Sequence, residues 1–155
     1  MGLLGRGPKP DTLAPYARHV EKFLRQMQIE PSQARQQSND YIWRFVYGSA
    51  LIEIALFHKR AEYGGGDYMQ IYSPLLHLPA SGLLPLYRRL LELNLSMSQA
   101  AFGVRDDVIY LFLERSLLDL EFRELETLIK MIADNADRYD NELMTEFNAR
   151  PYHHP

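Results

Sequence analysis

The stretch Tyr41-Ile42-Trp43-Arg44-Phe45-Val46-Tyr47-Gly48-Ser49-Ala50-Leu51-Ile52-Glu53-Ile54-Ala55-Leu56-Phe57 decides the fold class. Apart from Arg44, its first seven residues are aromatic or β-branched, which favours the pleated backbone of a strand. Gly48-Ser49 predicts a turn, and Leu51 to Phe57 a second strand. Side chains alternate across a strand. Tyr41, Trp43, Phe45 and Tyr47 therefore share one face, and Ile42, Arg44 and Val46 the other. In the second strand Ile52, Ile54 and Leu56 alternate with Leu51, Glu53, Ala55 and Phe57. Both faces of this hairpin are thus substantially apolar, whereas a half-solvated antiparallel sheet shows clean polar alternation on one side.

Working outward, Gly64-Gly65-Gly66-Asp67 breaks the chain and Tyr68 to Tyr72 predicts a third strand. Pro74 cannot donate to a central ladder, so it is expected at the strand's end or at an edge. Ala100 to Val104 predicts a short strand, Arg105-Asp106-Asp107 its turn, and Val108 to Glu114 a longer strand. Upstream, Tyr16, Val20, Phe23, Leu24 and Met27 fall on one face of a helix over Leu13 to Ile29, with Asp11 and Thr12 as capping types. Pro15 belongs in its first turn and Pro31 closes it. Residues 31–39 predict a polar connector. Pro79-Ala80-Ser81-Gly82 opens a helix over Leu83 to Asn94, with Leu86, Leu90 and Leu93 on its core side and Asn94 as its stop. The strongest periodicity is the last. Leu118, Phe122, Leu125, Ile129, Ile132, Ala136, Tyr139, Leu143 and Phe147 advance in steps of four and three, an amphipathic stripe over about 120–148 with room for one break.

The order α-β-β-β-α-β-β-α predicts an α+β fold, an antiparallel sheet with helices packed mainly on one face. Residues 1–11 are expected to be a disordered tail, 12–148 a single domain, and 149–155 a frayed tail. Three helices cover one side of such a sheet better than two, which leaves apolar, Tyr-rich surface for another protein or a second copy. Interface cores favour Tyr, Trp, Phe and Met. The residues expected in partner or dimer contact are Tyr41, Trp43, Phe45 and Tyr47. In the competing arrangement the final helix wraps around and buries the second face.

Composition narrows the function. The 155 residues hold no cysteine, so disulfides, thiol nucleophiles and Cys-ligated zinc are excluded. The net charge is −3, with nine Lys/Arg against five Asp/Glu in residues 1–60 and four against nine in residues 119–155. A mildly acidic domain lacks the basic footprint of a nucleic-acid binder, and no RNP-type pattern accompanies the aromatic strands. No apolar run reaches the ~18 residues a membrane span needs. Arg6 occupies the place where a myristoylation signal has Ser or Thr. The expected compartment is the cytoplasm. Gly64-Gly65-Gly66 lacks the Gly-Lys-Ser/Thr of a phosphate loop, and there is no Gly-x-Ser-x-Gly elbow or His-Glu-x-x-His. His58 beside Lys59-Arg60 is a turn histidine, His153-His154 belongs to the tail, and Asp106-Asp107 is turn chemistry. No catalytic residue, metal or cofactor is expected.

The second half resembles a known family. Leu84-Pro85-Leu86-Tyr87-Arg88-Arg89-Leu90-Leu91-Glu92-Leu93-Asn94, then Ala101-Phe102-Gly103-Val104 and Arg105-Asp106-Asp107-Val108-Ile109-Tyr110-Leu111, is similar to the helix–hairpin core of the YbjN family, which shares the type III secretion chaperone-like fold. Leu118-Asp119-Leu120-Glu121-Phe122-Arg123-Glu124-Leu125 fits the opening of its last helix. The resemblance implies a non-enzymatic, often dimeric protein that holds polypeptide against apolar surface, and it supplies no active-site residues. The reading is a chaperone-like or adaptor protein, a homodimer binding polypeptide through sheet and helix surfaces. The alternative is a small regulatory domain that binds a ligand in a pocket between helix and sheet.

Overall fold

The computed structural model describes residues 10–38 and 40–152. Helix α1 spans Ala14–Gln26, and the Asp11 carboxylate accepts the main-chain N–H groups of Leu13 and Ala14 at its start. The expected connector contains a single helical turn, α2 (Pro31–Ala34), begun by Pro31 and capped by the Glu30 side chain. Strands β1 (Tyr41–Tyr47), β2 (Ala50–His58) and β3 (Asp67–His77) follow, with a short 3₁₀ turn at Ala61–Tyr63. Then come helix α3 (Leu83–Ser96), the hairpin β4 (Ala101–Arg105) and β5 (Val108–Ser116), and helix α4 (Phe122–Phe147). Asp106 and Asp107 both adopt positive φ, the backbone a tight two-residue hairpin turn requires.

The five strands form one antiparallel sheet in the order β1-β2-β3-β5-β4. Helix α4 lies across β1, β2, β3 and β5, while α3 packs beside β4. On the helix side, Trp43, Ile54, Ile71 and Leu113 form one cross-strand row. These four join Leu24 of α1, Leu86 and Leu90 of α3, and Ile129 and Ile132 of α4 in a single buried cluster. The stripe on α4 is therefore its core face over Leu125 to Leu143, in one unbroken helix. Leu118 precedes that helix and is exposed, as is Phe122 at its first turn. Two polar atoms in the interior, Trp43 Nε1 and Ser73 Oγ, have no hydrogen-bond partner among the described residues.

Three expectations change. Strand β3 does not end near Tyr72. It runs on through Pro74, which holds the local edge position expected of a proline: the pairing with β2 ends at Tyr72, only β5 continues beside the strand, and the register shifts between Pro74 and Leu76. Asn94 does not stop α3, which continues to Ser96; its side chain is used elsewhere. Residues 149–152 are not frayed. Ala149 is buried, Pro151 bridges Leu76, and His77 N–H donates to the Arg150 carbonyl. The chain end thus adds a short antiparallel segment beside the upper part of β3. Residues 1–9, most of the expected N-terminal tail, lie outside the described residues, as do His153 and His154.

Candidate functional site: the open face of the sheet

Helices cover one face of the sheet, and the other face is open. The structure places the four expected contact residues on the covered side. Trp43 is fully buried and Phe45 nearly so, whereas Tyr41 and Tyr47 lie half-buried at its rim. Tyr41 donates to Asp11, and Tyr47 donates to Asp134 of α4. The row is therefore core with a polar margin. A partner reaching it in this fold would meet Tyr41 and Tyr47 and not the two side chains between them. The physical reason is bulk: this is the larger and more apolar face of β1, and packing the helices there removes more apolar surface from water.

The open face carries the complementary alternation. One row crosses all five strands: Arg44, Glu53, Tyr72, Phe112 and Ala101. A second runs Ile42, Ala55, Gln70 and Glu114. Phe57 and Tyr68 stand opposite each other with ring centroids 6.2 Å apart, and Tyr72 meets Tyr110 edge to face at the same separation. Phe112 and Val46 are exposed.

Two charge clusters on this face are internally neutral. Arg44 donates to Glu53 through both Nε and Nη2, and the Tyr72 hydroxyl donates to the second oxygen of Glu53. Burial, together with that bond, pushes the Tyr72 phenol up to about 12. Lys59 and Gln70 both donate to Glu114, and the Lys59 ammonium holds its carboxyl below the usual range. With these groups satisfied, the surface between them behaves as an apolar platform crossed by fixed dipoles.

Near β4 the platform dips. Ala101 and Gly103 place almost no side chain on the open face, and the space above Gly103 is empty. Tyr72, Tyr110, Phe112, Gln70 and Arg105 wall the resulting concavity of about 340 Å³. The Arg105 guanidinium lies 5.0 Å from the centre of the Tyr110 ring. The described residues contain no group of three or more His, Asp or Glu placed to hold a metal. His58 pairs with Asp67 at 2.5 Å, and the Asp67 carboxylate also accepts from Thr12.

A second apolar surface occurs on α3. Its core side is Leu86, Leu90 and Leu93. On the opposite side Leu84, Arg88, Leu91 and Leu95 form a stripe at steps of four, three and four. Leu91 is 66% and Leu95 91% exposed. A hydrophobic stripe facing water on a surface helix is unusual for an isolated domain.

Phe112, Tyr110, Tyr72, Phe57 and Tyr68 were not singled out from the sequence, although their signal was present. Arg44, Glu53, Gln70 and Glu114 interrupt the apolar alternation on one face only, and that face is the open one.

Residues 15–155 match the family described as TY-Chap1, T3SS (YopN, CesT) and YbjN peptide-binding chaperone 1. No curated protein matches the chain. Among solved structures, a chain from the crystal structure of the ExsC–ExsE complex superposes with a TM-score of 0.58 at 14% identity, covering 85% of this chain and 96% of that one. That likeness establishes the shared fold.

Proposed function

The chain belongs to this family of peptide-binding chaperones, and from that premise we propose that it binds a segment of another polypeptide on the open face of its sheet. The observation that carries the reading is the uncovered aromatic platform, with Phe112 and Tyr110 beside the trough above Gly103. The trough offers apolar side chains of a partner a place to leave water, and flat aromatic walls lose little side-chain entropy in receiving them. The neutralised pairs Arg44–Glu53 and Lys59–Glu114 spare a partner the cost of desolvating those four charges, and the Arg105 guanidinium over the Tyr110 ring is left as a cation at the trough's rim. The role is non-enzymatic and needs no cofactor, and its place is the cytoplasm. No helix among the described residues is long and apolar enough to cross a membrane.

The test is capture from native lysate, with bound proteins identified by mass spectrometry. Phe112→Asp changes an exposed side chain, so the variant is expected to fold with wild-type stability within about 0.5 kcal/mol and to lose the specific partner. Equal capture by the two proteins would move the site off this face.

The ligand-pocket alternative finds less support. A concavity of about 390 Å³ between the end of α1, Tyr47 and Lys130 is where such a ligand would fit. Its cation is already engaged, however, because Lys130 donates to both Asp134 and Tyr47.

The α3 stripe supports a homodimer. Antiparallel pairing about a two-fold axis would set Leu84 against Leu95 of the partner subunit and bring Arg88 toward Glu92 of the partner subunit. Such a surface is complementary to itself in both shape and charge. Light scattering is expected to give twice the chain mass for the wild type and the chain mass for Leu91→Asp. A wild-type monomer would remove the dimer and leave the peptide site untouched.

A further inference from the structure

Each edge of the sheet is capped at one point, and the two caps are made by different means. At the β1 edge the main chain does it: Gln36 N–H donates to the Ile42 carbonyl at 2.9 Å, and Arg35 bridges Trp43. At the β4 edge a side chain does it. The Phe102 N–H donates to Asn94 Oδ1 at 2.6 Å, and Asn94 Nδ2 donates back to the Phe102 carbonyl at 3.2 Å. A strand residue sends both main-chain groups to the same side. Phe102 opposes Leu111 across the β4–β5 pair, so its groups point away from β5 and out of the sheet. Those two groups are the ones an incoming strand would meet first. The carboxamide of Asn94 is chemically a peptide group, and it makes the two bonds that one residue of a sixth strand would make.

The rest of β4 has little defence against pairing. Natural edges are blunted by lysine, proline, bulges or inward-pointing charges. Arg105 puts one charge at the end of β4, but Ala101, Phe102, Gly103 and Val104 offer none of these, and their pairing with β5 is regular. Val104, two residues beyond Phe102, turns its main-chain groups to the same outer side, and its side chain is 44% exposed. The small side chains of Ala101 and Gly103 would let a second sheet edge approach closely. The occupant best matched to this edge is an identical one, the β4 of a second copy running antiparallel through Gly103.

We propose that Asn94 is an edge guard: its carboxamide fills the place of a sixth strand at Phe102 and so prevents β4 of one copy from pairing with β4 of another. This assigns a purpose to an asparagine inside the last turns of α3, where its helix propensity is poor.

The test compares the wild type, Asn94→Ala, Asn94→Ser and the double variant Asn94→Ala/Val104→Pro. Sedimentation velocity is run across a dilution series, with circular dichroism to establish folding. Serine is too short to bridge both Phe102 groups, so the two single variants are expected to behave alike. Each should show a species of at least twice the wild-type mass that grows with concentration. Proline at 104 removes an outward N–H without breaking the β4–β5 ladder, so the double variant is expected to return to the wild-type mass. Folded single variants with wild-type mass would overturn the proposal, as would a double variant that associates as strongly as the singles. Amide exchange on the wild type gives a reading that needs no variant. The Phe102 amide should exchange more slowly than the Val104 amide, and equal rates would mean that Asn94 does not hold the edge. None of these readouts depends on a bound polypeptide or on whether the wild type is a dimer.

Discussion

Trp43→Ala is expected to cost about 3–5 kcal/mol of folding stability, the range for deleting a buried large aromatic. A domain of this kind is stable by only about 5–15 kcal/mol, so the variant loses between about a fifth and all of its margin. The indole is fully buried, shares its row with Ile54, Ile71 and Leu113, and stacks beside Tyr41 with ring centroids 6.2 Å apart. The Arg35 guanidinium closes its outer side at 4.9 Å from the ring. Helices α1 and α4 cannot collapse into the vacated space without abandoning their contacts with the sheet. Trp43→Phe should cost markedly less. It retains most of the ring volume and deletes an indole N–H that has no partner among the described residues, and such a group is already paying a desolvation penalty. Urea denaturation of the three proteins measures both differences. If Trp43→Ala were as stable as the wild type yet lost its polypeptide partner, Trp43 would be a contact residue and the assignment of faces would be reversed.

That reversal shows where sequence reasoning ends. Alternation along β1 and β2 establishes that the hairpin has two apolar faces, and nearest-neighbour pattern is enough for that. Which face the helices take is a global choice, settled by the summed bulk of rows that assemble only once the strand register exists. Arg44, Glu53, Gln70 and Glu114 come from four different strands, and each alone is an ordinary polar interruption. Set side by side in the sheet they mark the wet face. The α4 stripe was legible because a helix carries its own periodicity, needing no partner to define it. Pro74 and Asn94 misled for a common reason. A proline in a strand and an asparagine in a helix are local stop signals, and each is overridden by a tertiary feature invisible in one segment. For Pro74 that feature is the end of the β2 pairing at Tyr72, which leaves β5 alone to carry the strand onward, and for Asn94 it is the outward main chain of Phe102.

Gly48→Ala is expected to be the most damaging small substitution on the surface, at about 2–4 kcal/mol. Two costs combine. Gly48 has φ +58°, a left-handed backbone that costs an L-residue about 1–2 kcal/mol. An added Cβ would also lie 2.0 Å from Asp137 Oδ1 and 2.3 Å from its Cγ, so the carboxylate must move. That carboxylate fastens the β1–β2 turn to α4: Asp137 Oδ1 accepts the Ser49 N–H at 2.7 Å and lies 3.0 Å from the Ser49 hydroxyl. Losing a hydrogen bond to a charged acceptor costs about 1.5–3 kcal/mol. Nor has Asp137 an easy refuge. Asp140 stands on the other side of the Ser49 hydroxyl, its carboxyl pushed up by burial, and a second carboxylate forced closer would raise the cost further. Asp137→Ala removes the obstacle along with the latch. Alanine at 48 should therefore cost only its backbone term in that background, and the two substitutions should be less than additive by about 1–2 kcal/mol, the size expected of residues in contact. Urea melts of the wild type, both single variants and the double variant close this cycle. Strict additivity would mean that Asp137 yields freely to the new methyl group, and that the turn is held to α4 by Asp140 and Asn141 through Ser49 rather than by Asp137.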